Sequence, residues 1–172
     1  MAQTKTTAAT NAAPTTAKKT SSATSTIDLT ARPPRRPEEE LNGFVQLGRT
    51  IDKCRAMLAK KVGDYHYDCP LDKVLFTFKG ISAKKLEEQV AKGLTDQQIA
   101  DWLLATGTKK TAAEIKVWSK MMKENDYYNH ADAGKREWFI GACKTIGIDP
   151  AKSTLFDYLN ADDAFSFKSK AK

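Results

Sequence analysis

From Pro37 onward the apolar residues recur at helical spacing instead of alternating as in a strand. Pro37 suits a first helical position. Glu38, Glu39 and Glu40 come next, where a helix dipole favours acids, and Leu41, Phe44 and Val45 give that short turn an apolar side. Leu47, Ile51, Cys54 and Leu58 then fall at i, i+4, i+7 and i+11, a stripe that Gly63 closes soon after. The stretch from Pro70 to Gly80 is rich in the Val, Phe and Thr that favour strands, yet Leu71, Val74, Leu75 and Phe78 fall at i, i+3, i+4 and i+7. The spacing predicts a helix with Pro70 at its first position, Asp68 or Cys69 as N-cap, and Gly80 just past its end.

Ser82 reads as the next N-cap, with Ile81 and Leu86 at staple spacing, and that helix runs to Gly93. Thr95-x-x-Gln98 and Thr111-x-x-Glu114 are capping boxes that open two more helices. The first ends near Gly107; the second carries Ile115, Trp118, Met121 and Met122. Trp138, Phe139, Ala142, Cys143 and Ile146 form an apolar face that ends at Gly147. Asp149 and Pro150 then read as N-cap and first residue of a last segment, which Leu155, Phe156 and Leu159 pack. The expected fold class is all-α: a single compact domain of about six to eight short helices over residues 37–172.

Residues 1–36 differ in kind. They are Thr-, Ala- and Ser-rich with almost no large apolar side chains, so they cannot bury enough surface to offset their backbone entropy, and a disordered tail is expected. Lys5, Lys18, Lys19, Arg32, Arg35 and Arg36 stand against Asp28, which places most of the net charge of +7 on this tail. Lys18, Lys19, Arg32, Arg35 and Arg36 are the candidates for sequence-independent contact with nucleic acid; the simpler and favoured reading is a solubilising extension. No run is long and apolar enough for a transmembrane helix, and no secretory signal is visible, so a cytoplasmic protein that does not enter membranes is expected. Three cysteines at long spacing fit free thiols better than a disulfide framework.

The densest chemistry is "VGDYHYDCPLD", residues 62–72. A thiol at a helix N-terminus feels the positive end of the dipole, and His66 lies three residues before Cys69, so His66 and Cys69 are the weak catalytic candidates. Asp64, Asp68 and Asp72 oppose thiolate formation. The simpler reading makes Cys69 a packed cap residue and His66 a loop histidine. His66-x-x-Cys69 offers two zinc ligands, but Cys54 and Cys143 lie on apolar stripes, so neither a metal nor a cofactor is expected. A second candidate is an anion pocket formed by Arg49, Lys53, Arg55 and His66, set against local pairing of Asp52 with Arg49 or Arg55. Asp162 and Asp163 read as acids on a solvated turn.

The stretch "GFVQLGRTIDKCRAMLAKKVGDYHYDCPLD" resembles a family of short bacterial proteins catalogued as a domain of unknown function. The likeness rests on an Arg-x-Ile-Asp-Lys-x-Arg-Ala helix, then Gly-x-Tyr-His, then Cys-Pro-Leu-Asp, with further likeness at Gly93–Trp102 and Phe156–Asp163. It spans roughly residues 41–165, and Gly48 stands where many relatives have proline. It implies a compact domain and no transferable activity. Three functions compete: a non-catalytic module binding an unknown protein partner; an enzyme or small-anion binder using the Tyr-His-Tyr-Asp-Cys-Pro segment; and a nucleic-acid-associated protein. A helix-turn-helix over Leu94–Lys120 is disfavoured, because its link is longer than the usual turn of about 3–4 residues.

Overall fold

The computed structural model describes residues 27–170. The described residues form helices α1 (Leu47–Leu58), α2 (Pro70–Lys79), α3 (Ala83–Ala91), α4 (Asp96–Ala105), α5 (Ala112–Lys123), α6 (Ala133–Ile146) and α7 (Leu155–Lys170), with a 3₁₀ turn at Pro150–Lys152. The all-α expectation holds, and the caps account for most starts. Ser82, Thr95, Thr111 and Asp132 each accept the backbone N–H three residues on, and Gln98 and Glu114 close their boxes reciprocally. Gly80 and Gly147 end α2 and α6 in the left-handed conformation.

The main core joins α1 to α5 with the start of α7. Phe44, Val45, Leu47, Ile51, Cys54, Leu75, Leu86, Ile99 and Leu103 are completely buried in it. α1 packs on α3 and α4, and α5 meets α7. A smaller cluster ties α6 to α7 through Phe139, Cys143 and Leu155.

Three expectations need correction. Residues 37–45 are not helical. The Pro37 carbonyl accepts from Gln46 N–H at 2.7 Å, and Leu41 and Phe44 exchange hydrogen bonds around Asn42-Gly43, both at positive φ. The tight turn drives Phe44 and Val45 into the core, and the acids serve other elements: Glu40 pairs with Lys123 and Glu38 accepts from Asn160. α1 stops at Leu58, before Gly63. The buried side of α2 is rotated: Phe76 is buried and Val74 is exposed, because Asp72 and Lys79 also turn inward.

The packed chain also starts earlier than residue 37. Ile27 and the completely buried Leu29 pack on Ala56, Val62 and Tyr65, and Leu29 N–H donates to the Lys61 carbonyl. Residues 27–36 are therefore part of the domain, contrary to the expected boundary. Residues 1–26, with Lys18, Lys19 and the expectation of disorder, lie outside the described residues.

Candidate functional site

Helix α1 carries its polar residues inward. Arg49, Thr50, Asp52 and Lys53 are all buried, and Gln46, just before the helix, is too. Burying a charge is costly unless it is paired and hydrogen-bonded, so each must find a partner. They do, from four distant segments. Arg49 makes a two-pronged pair with Asp163 of α7, at 2.7 and 3.1 Å. Asp163 also accepts from the Tyr65 hydroxyl at 2.7 Å, and Tyr65 lies under the Arg49 guanidinium, 5.5 Å from ring centroid to Cζ. Burial and the bond to Asp163 push the Tyr65 phenol well above its ordinary pKa, so it stays a donor. Lys53 pairs with Asp72 at 2.7 Å, and Asp72 also accepts from Thr50 and Gln46.

Arg35 and Arg55 share Asp96, and Arg35 in addition grips Asp52 through its backbone N–H, Nε and Nη2. Burial works to raise the Asp96 pKa, but the two guanidiniums outweigh it and hold the carboxyl below the usual aspartate value. Arg35, Arg49, Lys53 and Arg55 thus meet Asp52, Asp163, Asp72 and Asp96: a neutral, interlocked network that leaves its cations engaged by protein carboxylates.

The anion pocket expected from Arg49, Lys53, Arg55 and His66 is therefore not assembled. Each of the three cations has its own carboxylate, and His66 is exposed, outside the network. The local pairing expected for Asp52 is also replaced, since its partner is Arg35. Asp163 is buried within α7, not on a solvated turn. Arg35 is neutralised and half-buried, which removes it from any basic arm; Arg32 is exposed, and Arg36 is exposed beside Glu38.

Cys69 caps α2. Asp72 reaches back to the Cys69 N–H at 3.4 Å in a capping box, and the sulfur lies 3.2 Å from Lys53 Nζ, with no hydrogen bond to His66. The arrangement orients the start of α2. Cys54 and Cys143 are buried on separate clusters, and burial pushes the Cys54 thiol up to about 12.

The unfilled surface lies elsewhere. Along α2 and α5 runs a shallow groove in two parts, one lined by Pro70, Val74 and Phe78 and the other by Phe78 with Ala113, Val117 and Met121. Trp118, stacked on Phe78 with ring centroids 4.7 Å apart, borders both parts. Two adjoining hollows of about 370 and 440 Å³ share that pair. Val74, Val117 and Met121 are 42, 60 and 66% exposed, a cluster beyond the scattered apolar residues normal on a surface. On the other side of α5, a cavity of about 680 Å³ has Leu104 and Ile115 in its wall and Lys110, Lys116, Lys120 and Lys123 among its lining residues.

Sequence spacing places Met121 among the apolar residues of α5 and passes over Val117 and this groove. The available signal is that Ile115, Val117, Trp118, Met121 and Met122 wrap more than one side of α5, so one core contact cannot cover them all.

Among the described residues no helix is long and apolar enough to cross a membrane. Residues 31–165 match the model of a family described as a domain of unknown function, DUF5069, and the chain belongs to that family. No curated protein matches the chain significantly.

Proposed function

We propose that this chain is a non-catalytic binding module, and that its docking surface is the groove between α2 and α5, which receives a helix of a protein partner. The observation that carries the reading is the exposure of Val74 in one hollow and of Val117 and Met121 in the adjoining one, with the stacked Phe78–Trp118 pair common to both. Val74 and Phe78 on α2, like Val117 and Met121 on α5, are four residues apart, a spacing that the apolar row of an amphipathic helix can meet. Covering the exposed part of each of these three side chains is worth roughly 1 kcal/mol. The reading is also favoured by the α1 network, whose charged groups are paired with one another and so serve as scaffold for the helices that form the groove.

The test uses isotope-labelled protein and a helical peptide of about four turns, with leucine at i, i+3, i+4 and i+7 and glutamine elsewhere. Chemical-shift changes are expected over Pro70–Phe78 and Ala112–Met122, including the Trp118 indole. Val117→Asp, at an exposed position, should abolish them while leaving the circular dichroism spectrum intact. Absence of binding, or shift changes that map elsewhere and survive Val117→Asp, refutes the docking surface.

A further inference from the structure

We infer that Cys69 and Lys53 form a reversible modification site, at which a peroxide oxidises the Cys69 sulfur and the Lys53 nitrogen captures it in a covalent sulfur–nitrogen link. Two side chains from separate elements meet here. Cys69, the N-cap of α2, is half-buried, which makes it the thiol most open to a small oxidant, since Cys54 and Cys143 are buried. Lys53 of α1 is buried, with its side chain 4% exposed, and its Nζ donates to the Cys69 sulfur at 3.2 Å.

The lysine is held in that position. Completely buried Asp72 accepts from the same Nζ at 2.7 Å, and Asp72 is itself fixed by Thr50 and Gln46 at 2.8 and 3.2 Å. Nitrogen and sulfur are therefore near contact before any reaction, the placement that turns a bimolecular step into an intramolecular one.

The chemistry balances in two steps. The thiol and one hydrogen peroxide give a sulfenic acid and water; the peroxide O–O bond breaks and the sulfur loses two electrons. The Lys53 nitrogen then attacks the sulfenic sulfur, so that an S–N bond forms as the S–O bond breaks. The ammonium gives up two protons. One leaves with the hydroxyl as water, and the other passes to Asp72, whose Oδ2 already accepts from Lys53. The buried ion pair becomes two neutral groups, so no charge is stranded, and Asp72 Oδ1 keeps its bonds from Thr50 and Gln46. Two equivalents of a small thiol reverse the link, restoring cysteine and amine and leaving the disulfide of the reductant. Capture at this stage spares Cys69 the irreversible step to sulfinic acid. It also ties α1 to the start of α2 across 16 residues of sequence.

Peptide mapping of the full chain after treatment with hydrogen peroxide tests the inference. The expected product joins the peptides of Lys53 and Cys69, is about 2 Da lighter than their sum, and reverts with dithiothreitol. Its yield should be about tenfold or more higher in native protein than in urea, where the placement is lost. Lys53→Arg keeps a cation for Asp72 without an amine and should send Cys69 on to sulfinic acid; Cys69→Ser should leave Lys53 unlinked. A native Cys69 that reaches sulfinic acid or a disulfide with Lys53 free overturns the inference. So does a link of equal yield in urea, or one that survives either substitution.

Discussion

Removing the Asp163 carboxylate is the sharpest test of the α1 network. The Arg49 and Asp163 side chains are 4 and 8% exposed, and the pair joins α1 to α7 across 114 residues of sequence. In Asp163→Ala the Arg49 guanidinium keeps only a 3.2 Å bond to the Arg35 carbonyl and the face of Tyr65. The Tyr65 hydroxyl loses its acceptor as well. Breaking one side of a buried pair costs about 3–5 kcal/mol, mostly for the charge left behind. That is a large part of the roughly 5–15 kcal/mol that holds a domain folded. It corresponds to a fall in Tm of roughly 10 °C or more for a chain of this size. Urea unfolding followed by circular dichroism would read it as a lower midpoint at unchanged slope. Arg49→Met with Asp163→Leu should recover most of the loss, since it removes both charges and keeps much of the volume. A single variant costing under about 1 kcal/mol, the scale of an exposed pair, would refute the network as described.

Gly107 lies at φ +68, and a Cβ there would stand 2.0 Å from the Lys79 carbonyl oxygen, so Gly107→Ala should destabilise by about 3 kcal/mol or more, measured by thermal melting. Asp96 has a depressed folded pKa, so its ionised form contributes stability above its unfolded value near 3.8 and loses that contribution as pH falls below it. The stability gap between the wild type and Asp96→Asn should therefore narrow below about pH 4 in acid titration of the unfolding midpoint. Cys69 is half-buried while Cys54 and Cys143 are buried, so an aromatic disulfide reagent should label Cys69 first in the native protein and all three thiols after unfolding; fast native labelling of Cys54 would contradict the packing.

How much of the structure is legible in the sequence depends on the range of the interactions. The capping boxes at Thr95 and Thr111 are contained in four residues, so their spacing alone announces them. The start of α2 at Pro70 and its end at Gly80 are equally local. The turn at Leu41–Phe44 is hidden because Pro37 and three acids also satisfy a helix start; what decides is the burial of Phe44 and Val45 by elements far along the chain. The α1 partners Asp96 and Asp163, like Arg35, are invisible to any rule of i, i+3 or i, i+4. The groove escapes because the apolar residues of α5 do not say which of them the fold covers; Val117 and Met121 are exposed among the described residues.

The docking of Ile27 and Leu29 has a practical consequence for anyone trimming this molecule. Cutting at the start of the family match, residue 31, would keep Arg35 as the clamp on Asp52 and Asp96 yet strip the hydrophobic plug from Ala56 and Tyr65. Cutting at Pro37 would in addition strand Asp52 without its guanidinium and leave Asp96 with Arg55 alone. A fragment that preserves both includes Ile27, so the packed chain reaches beyond the stretch by which its kin are recognised.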